Sequence, residues 1–555
     1  MSFYQTPPVL ENQFTTDRLL RTYLQRTLGD ALASVTPELD ALGALTAGEM
    51  WQRARAERDD EPSLAQWDAW GHRVDHIELS HSWKHAKRIA CEFGLVGTAY
   101  ERKLGALSRV LQFAKVYLFE PSSDTYSCPL AMTDGAAKTL LTHENRALID
   151  RAVSRLTSRR AEDAWTSGQW MTERTGGSDV SKTETVARLV DGEYRLYGTK
   201  WFTSATTSEM TLTLARPEGQ PEGSRGLSLF YLERARADGS ANGITVNRLK
   251  DKLGTRKLPT AELLLDGAIA VPVKGIGDGV RNIAPMLNVT RLWNSVCAAA
   301  GMRRGIALSR DYARRRLAFG MPLSQKPLHL DTLAGMQAEL EAGFMLAFRV
   351  AELLGADEAG QNAQPELARL VTPLAKLTTG KQVVAVASEA LECFGGAGYV
   401  EDCGVSRLLR DAQVLPIWEG TTNVLSLDTL RVLAGGAGHA ALLEDTARLM
   451  KETKDKELAA VASSGHEAIG RTVAKAGELA GRDPVAVEQA ARRVAMTLGR
   501  SYALVLLCHH ADWCLRTLGD RRSRAAALRF AAHGFDLMSR PEVAVREDEA
   551  AMAME

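Results

Sequence analysis

The hydrophobic pattern divides the chain into helical and β-prone stretches. In residues 15–164 apolar positions recur with helical spacing, interrupted by the loop 121–129. Helical spacing returns after about residue 279. Between these parts lie short β-prone runs, separated by Gly, Pro, Asp and Asn, at residues 193–202, 210–216, 226–233, 243–249 and 261–265. Because strands and helices do not alternate, we predict an α+β fold that is mainly α, not a doubly wound parallel sheet.

Capping and stop residues predict where three of the later helices begin or end. Asp331 is in position to cap a helix that carries an apolar face, and Gly355 is in position to end it. Pro373 is typical of the first turn of a second helix, and Asp483 followed by Pro484 is typical of a third.

The length of the chain requires several structural units. At 555 residues it is far longer than one hydrophobic core usually serves. The changes of pattern predict an N-terminal helical domain, a central β domain, a helical bundle domain and an additional C-terminal helical domain. Their predicted limits are residues 1–165, 166–278, 279–434 and 435–555.

Composition and charge exclude several classes of protein. Hydrophobic residues make up 45% and charged residues 25%, which is ordinary for a globular chain. The 68 basic side chains balance 68 acidic ones, so no global field attracts nucleic acid or an anionic membrane. Seven scattered cysteines without a C-x-x-C pair argue against a disulfide framework. We expect a cytoplasmic protein without membrane insertion, because neither a signal peptide nor an apolar run of about 20 residues is visible.

Two further patterns are weak as sites. The glycines of segment 275–279 lack the G-x-G-x-x-G spacing of a dinucleotide loop and fit a turn before a helix. His72, His76, His81 and His85 include two pairs spaced by four, which could share a helix face. A second Glu-x-x-His is absent, so we predict no metal site.

Three separated segments carry the strongest chemical signal. The first segment, residues 170–180 with 198–204, combines hydroxyls, small residues and aromatics, a set able to hold a flat polar heterocycle. The alternative interpretation is purely structural: a capped turn followed by a core strand. Residues 314–320 place basic side chains and an aromatic at a helix end. The third segment, residues 392–423, contains a glycine-rich turn and one carboxylate, Glu419, between Trp418 and Gly420.

In this order the segments resemble the acyl-CoA dehydrogenase superfamily. The resemblance covers roughly residues 129–433, and the early segment 10–13 with the extra helices after residue 433 resembles its AidB-like branch. It implies a helical domain, a β-barrel-like domain and a helical bundle, with a further helical domain after them. It also implies FAD as cofactor and a homo-oligomer, expected to be a tetramer, in which each flavin contacts two subunits.

The resemblance assigns cofactor contacts residue by residue. Phe202 stands where many relatives have Trp, and Glu392 stands where Gln is usual, so the latter places a negative charge near the expected pyrophosphate. The cofactor-binding residues that it implies are Met171, Thr172, Ser178, Phe202, Ser204, Arg316, Phe319, Gly395, Gly396, Thr421 and Asn423.

Glu419 occupies the position of the catalytic base in the main lineages of this family. A thioester α-proton is weakly acidic, so a base must remove it while hydrogen bonds polarise the carbonyl. We expect burial beside Trp418 to raise the pKa of Glu419. Gly420 and the family's buried arginine, here Arg291, are expected beside the substrate. The implied reaction turns an acyl-CoA into its trans-2-enoyl form and passes electrons to an external acceptor such as an electron-transfer flavoprotein.

The C-terminal segment supports a rival interpretation. Some AidB-like proteins are associated with DNA, and several arginines here could contact phosphates if displayed together. On this interpretation the protein is a weakly active flavoprotein that binds DNA or sequesters acyl-CoA, and an acyl-CoA oxidase is a third alternative. The arginines in question are Arg492, Arg493, Arg500, Arg521, Arg522, Arg524 and Arg529.

Overall fold

The computed structural model describes residues 4–361, 363–539 and 547–554. Its N-terminal part is a helical layer that packs on the later bundle, with Tyr117 of this layer in edge contact with Phe344 at 5.3 Å. The elements are α1 (Arg18–Leu28), α2 (Leu32–Ala47), α3 (Glu49–Ala56), β1 (Ser63–Trp67), β2 (Arg73–Glu78), α4 (His81–Glu92), α5 (Gly97–Glu101), α6 (Ser108–Phe119), α7 (Ser127–Thr142), α8 (Arg146–Leu148) and α9 (Ser154–Leu156).

The strands β1 and β2 correct the prediction that residues 15–164 are helical throughout. They form an antiparallel hairpin in which Leu64 faces Ile77. Both side chains pack against the core of the β domain, and Gln66 donates a hydrogen bond to O of Val246 there (2.9 Å). Burial on a neighbouring sheet therefore decides this segment's structure.

The histidine cluster is also separated by this hairpin. His72 precedes β2 and His76 lies on it, so these two side chains do not share a helix face. His81 and His85 do lie on α4. Among the described residues no group of His, Cys, Asp and Glu side chains is arranged to hold a metal ion.

The central part is a closed β-barrel. The ring of paired strands runs from β6 to β4, β5, β9, β7 and back to β6, while β3 pairs with β6 and β8 with β9. The five β-prone runs predicted from the sequence are confirmed as β5 to β9, whereas β3 and β4 lay outside that prediction. The strands are β3 (Ser167–Trp170), β4 (Val186–Val190), β5 (Glu193–Ser204), β6 (Met210–Pro217), β7 (Ser228–Glu233), β8 (Ile244–Leu249) and β9 (Thr260–Pro272).

Long helices form the bundle that follows the barrel. Helix α11 packs on α7, α12 and α13. Along the chain, a small hairpin lies between α11 and α12. The elements are α10 (Gly279–Asn282), α11 (Ala284–Arg315), β10 (Leu317–Ala318), β11 (Met321–Pro322), α12 (Pro327–Ala359), α13 (Pro365–Glu392), α14 (Gly396–Tyr399), α15 (Ser406–Ala412) and α16 (Thr422–Ala434).

Three predicted helix limits in the bundle are wrong. Asp331 and Gly355 both lie inside α12, which begins at Pro327 and ends before Gly360 in the left-handed conformation (φ 64°). Pro373 lies inside α13, which begins at Pro365. Tertiary packing overrides these local signals: a Cβ on Gly355 would meet O of Ala106, so this glycine serves a close approach between helices.

The last part of the chain is helical and packs on the bundle. The predicted start at Asp483 is confirmed, since its carboxylate accepts a hydrogen bond from the Val485 amide (2.8 Å). No helix in the described ranges is long and apolar enough to cross a membrane. The helices are α17 (Ala437–Glu452), α18 (Lys456–Arg482), α19 (Pro484–Leu518), α20 (Arg522–Ala532) and α21 (Glu547–Met554).

Candidate active site

Glu419 lies in a tight turn between α15 and α16. Its backbone is left-handed (φ 57°) and Gly420 follows at φ 100°. A non-glycine residue in this conformation is unfavourable by about 1–3 kcal/mol and persists where the surroundings hold it. On one side the indole Nε1 of Trp418 donates to the Asn294 side chain, and on the other Thr421 caps α16. The turn is therefore held at both ends.

The carboxyl group of Glu419 is buried against α11. Thr290 Oγ1 donates a hydrogen bond to Glu419 Oε2 (2.5 Å). Burial raises the pKa of Glu419, and the Thr290 hydrogen bond and the nearby cations Arg291 and Lys376 offset only part of this rise. The expected upward shift is confirmed in direction and cause. A base with a raised pKa accepts a proton more readily than an exposed carboxylate.

Arg291 supports the turn from behind the carboxyl group. Its Nε donates to the backbone O of Glu419 (3.3 Å), and its guanidinium pairs with Asp428 of α16 (3.5 Å). It thus contacts the main chain of the turn, and a direct role in binding substrate stays a prediction.

Lys376 is a site residue that the sequence analysis missed. It lies on α13 with its side chain fully buried, and its Nζ donates to O of Gly420 (2.6 Å). Burial lowers its pKa to about 7, against the opposing effect of Glu419. The available signal was a lone lysine in the apolar stretch 370–377, where an ammonium needs a partner.

A cavity of about 100 Å³ opens beside the turn. Trp418 and Leu415 line one part, and Cys297 and Gly301 of α11 line another. Farther along the wall stands Glu120, whose pKa burial raises to about 8. The wall near Trp418 is mainly apolar, but the cavity is also lined by Asp124 and Asp411, both of which pair with Arg407.

The residues expected around a flavin ring come together on the barrel. The loop after β3 carries Met171 and Thr172, and the Trp201 amide donates to O of Thr172 (3.0 Å), which joins this loop to β5. Farther along β5, Phe202 is 55% exposed and Ser204 Oγ lies 3.2 Å from Thr260 Oγ1.

A buried ion pair fixes the same loop. Glu173, next to Thr172, accepts from Lys200 Nζ (2.7 Å) and from Thr185 Oγ1 (2.5 Å). Burial alone would raise the pKa of Glu173, but Lys200 and these hydrogen bonds hold it below its usual value. Ser178 lies exposed farther along the loop.

The other expected cofactor residues form a second group, around the β10–β11 hairpin. Arg316 precedes the hairpin and Phe319 is 95% exposed at its tip. The ring of Phe394 stacks on Tyr312 (4.4 Å), which brings Gly395 and Gly396 to the end of α11 that leads to Arg316. Glu392 lies exposed at the last position of α13.

Thr421 and Asn423 stand next to Glu419 at the start of α16. The Thr421 hydroxyl accepts from the Val424 amide (3.4 Å), so it serves as the helix cap, while Asn423 is exposed. Their contacts with a cofactor stay predictions.

Family models match almost the whole chain. Residues 5–163 match the adaptive response protein AidB N-terminal domain, and residues 168–268 match the acyl-CoA dehydrogenase middle domain. Residues 277–434 match the acyl-CoA dehydrogenase C-terminal domain, and residues 440–552 match the acyl-CoA dehydrogenase 11 C-terminal domain-like model.

Individual relatives agree with these matches. Acyl-CoA dehydrogenase family member 11 of Caenorhabditis elegans is 44% identical over 92% of this chain and 86% of its own length. Putative acyl-CoA dehydrogenase AidB of Escherichia coli (strain K12) is 35% identical over 75% of this chain and 76% of its own. The crystal structure of Caenorhabditis elegans ACDH-11 in complex with C11-CoA has a TM-score of 0.93 at 41% identity, covering 100% of this chain and 95% of that one. This chain belongs to the acyl-CoA dehydrogenase family, in its AidB-like branch.

Proposed function

We propose that this protein is an FAD-dependent acyl-CoA dehydrogenase that introduces an α,β double bond into an acyl-CoA thioester, with Glu419 as the base. The observation that carries the proposal is the Glu419 carboxyl group with its raised pKa, held by Thr290 and next to Trp418, which lines a cavity. The similar ACDH-11 structure holds C11-CoA, which supports an acyl-CoA as the substrate here.

Glu419 removes the α-proton, and the neighbouring groups prepare it for this step. Thr290 donates a hydrogen bond to one carboxylate oxygen, and Gln169 also lies within hydrogen-bonding reach of the group, so the carboxylate is held in place for this step. The amide of Glu419 is a candidate donor to the thioester carbonyl, whose negative charge grows as the proton leaves. Help from a positioned base of this kind contributes about 10²- to 10⁴-fold to the rate.

The residues on the barrel fit a flavin. The exposed face of Phe202 and the hydroxyls of Thr172 and Ser204 suit a flat ring with polar edges. At Gly395 and Gly396 nothing lies within 4 Å of an added Cβ, so the backbone is open to a diphosphate. When bound, FAD supplies the acceptor for the hydride that leaves the β-carbon.

The exposure of Phe319 supports an oligomer. Phe319 is 95% exposed at the hairpin tip, and Leu317 and Met321 of the same hairpin are exposed as well, so the hairpin presents an apolar patch of the kind that marks an interaction site. We propose that this hairpin, with Arg316, reaches the FAD of a neighbouring subunit in a homotetramer. We further propose that the enzyme works in the cytoplasm and passes its electrons to an electron-transfer flavoprotein.

The rival DNA-binding function gains little support from the C-terminal arginines. Arg500 pairs with Glu339 (3.0 Å), and Arg529 pairs with Asp331, so both tie the last helices to α12. Two further arginines are also neutralised by acids. Arg522 pairs with Asp520, and Arg524 with Glu457.

Anaerobic flavin spectroscopy tests the proposed function. The FAD-loaded protein is titrated with short, branched and long acyl-CoAs, and one class is expected to bleach the flavin. Glu419→Gln is expected to lose this reduction while it keeps FAD and still binds acyl-CoA. Glu444→Gln, which alters an exposed glutamate of α17 outside the site, is the matched control, and its flavin should be reduced normally. Protein that cannot be loaded with FAD, or that no acyl-CoA reduces, would refute the proposal, and rapid peroxide formation in air would indicate an oxidase.

A further inference from the structure

Lys376 is a fully buried cation outside the expected set of site residues. It lies in the middle of α13, and in the part of the chain that the structure describes its ammonium has one hydrogen-bond acceptor, O of Gly420. A buried ammonium is costly unless it is paired. Because its hydrogen-bond acceptor belongs to the Glu419 turn, we infer that Lys376 acts on that turn.

The geometry of the turn shows what this hydrogen bond does. Glu419 and Gly420 are both left-handed, so the peptide between Gly420 and Thr421 must be held in one orientation to keep the carboxyl group aimed at Thr290. Lys376 holds that peptide by its carbonyl. Helix α13 also packs closely on the segment that leads into this turn, since a Cβ on Gly380 of α13 would lie 3.3 Å from Cα of Pro416.

The charges around Lys376 define its electrostatic effect. Glu419 attracts it and Arg291 repels it. Arg291 is largely neutralised by Asp428, which also pairs with Arg369 of α13 (2.7 Å). The Lys376 charge therefore acts mainly on Glu419, and it lowers the pKa of that carboxyl group against the rise that burial causes.

We propose that Lys376 is a positioning residue for the Glu419 base: it fixes the Gly420 carbonyl, and its charge keeps the carboxylate ionised and ready to accept the α-proton. This inference rests on the proposed function of Glu419. It assigns Lys376 no contact with substrate or flavin. As the proton moves to Glu419, the pair changes from two opposite charges to one cation, which the Gly420 carbonyl continues to bind.

Lys376→Met tests the inference, because it removes the charge and the donor at similar volume. The rate of flavin reduction by a saturating acyl-CoA is measured anaerobically from pH 5 to pH 9. The rate should rise with pH as Glu419 ionises. Lys376 carries its charge below its pKa of about 7, so on this acid side the rise in the variant should move to higher pH by about one unit, with a roughly tenfold slower reaction. Above pH 7, where Lys376 loses its proton in wild type, the two profiles should converge. The affinity for FAD should not change.

Lys115→Met is the matched control. Lys115 of α6 is also a buried lysine, but it pairs with Glu38 (2.8 Å) and Thr98, away from the turn. The Lys115→Met substitution should lower thermal stability without shifting the pH profile of flavin reduction. If Lys376→Met does not fold, Lys376→Gln keeps a donor for the Gly420 carbonyl and should show the same movement, because the charge is lost.

The outcomes separate this inference from the proposed function. A profile in Lys376→Met or Lys376→Gln that coincides with wild type, or a control that moves equally, would overturn the role of Lys376. If no acyl-CoA reduces the flavin of the wild-type protein, the proposed function itself is refuted. This result is obtained before any variant is made.

Discussion

The buried ion pair between Lys200 and Glu173 allows a quantitative prediction about the loop beside the expected flavin. Lys200 is fully buried and Glu173 is 2% exposed, and Lys200 also donates to O of Leu214 (2.8 Å). Lys200→Met leaves the carboxylate buried without its cation, which typically costs about 3–5 kcal/mol. Because Glu173 keeps its hydrogen bonds to Thr185 and the Glu184 amide, we expect the lower end, about 3 kcal/mol.

Hydrogen exchange of β5 and the loop 171–178 measures this loss. A decrease of about 3 kcal/mol corresponds to roughly 100-fold less protection when these segments open together. The FAD dissociation constant should rise as well, because the loop carries Thr172. The double variant Lys200→Met/Glu173→Gln should recover most of the protection, since no unpaired charge remains.

The sign of the pH dependence follows from the pKa of Glu173. In wild type the pKa of Glu173 is lower in the folded state than in the unfolded state. The ionised carboxylate therefore adds to the free energy of unfolding at pH values above the unfolded-state pKa, and this contribution is lost as pH falls through the folded-state pKa. In Lys200→Met burial raises the same pKa, so the variant is penalised most at neutral pH. The difference between the two proteins should therefore shrink as pH falls toward 5.

A surface pair on the neighbouring strand is the control. Arg188 and Glu218 are each about half exposed, so Arg188→Met should cost about 0–1 kcal/mol. If Lys200→Met lost no more protection than Arg188→Met, or if the double variant were as weak as the single one, the pair would not hold the loop and the reasoning would be refuted.

Three further substitutions have defined outcomes. Thr290→Val removes a hydrogen bond that lowers the pKa of Glu419, so the pH–rate profile of flavin reduction should move to higher pH, and an unmoved profile would contradict this. In wild type we expect long-chain acyl-CoA to bind more weakly above pH 8, because Glu120 ionises there. Glu120→Gln should abolish this weakening, which calorimetry across pH 7 to 9 measures. Gly420→Ala places a Cβ 2.9 Å from Leu425 at φ 100° and should lower the melting temperature, whereas Gly470→Ala, in open space on α18, should raise it slightly.

The disagreements between prediction and structure occur where neighbours outweigh local signals. Asp331 and Pro373 have the chemistry of helix starts, yet both lie inside longer helices because packing across the bundle continues the helix through them. The hairpin at residues 63–78 lies within a helical part of the chain and forms because Leu64 and Ile77 reach the barrel core. Neither contact is local in sequence, so a pattern read along the chain could not show it.

The sequence by itself determined the mainly helical architecture around a central β domain, because the two periodicities differ clearly along the chain. It also determined the identity of the candidate base, because Glu419 is the one carboxylate between an aromatic and a glycine at the position that the resemblance marks. Only the tertiary structure decided which groups surround that base. Thr290, Lys376 and Asn294 come from α11 and α13, more than 40 residues away along the chain, and the burial that raises the pKa of Glu419 exists only when these helices pack together.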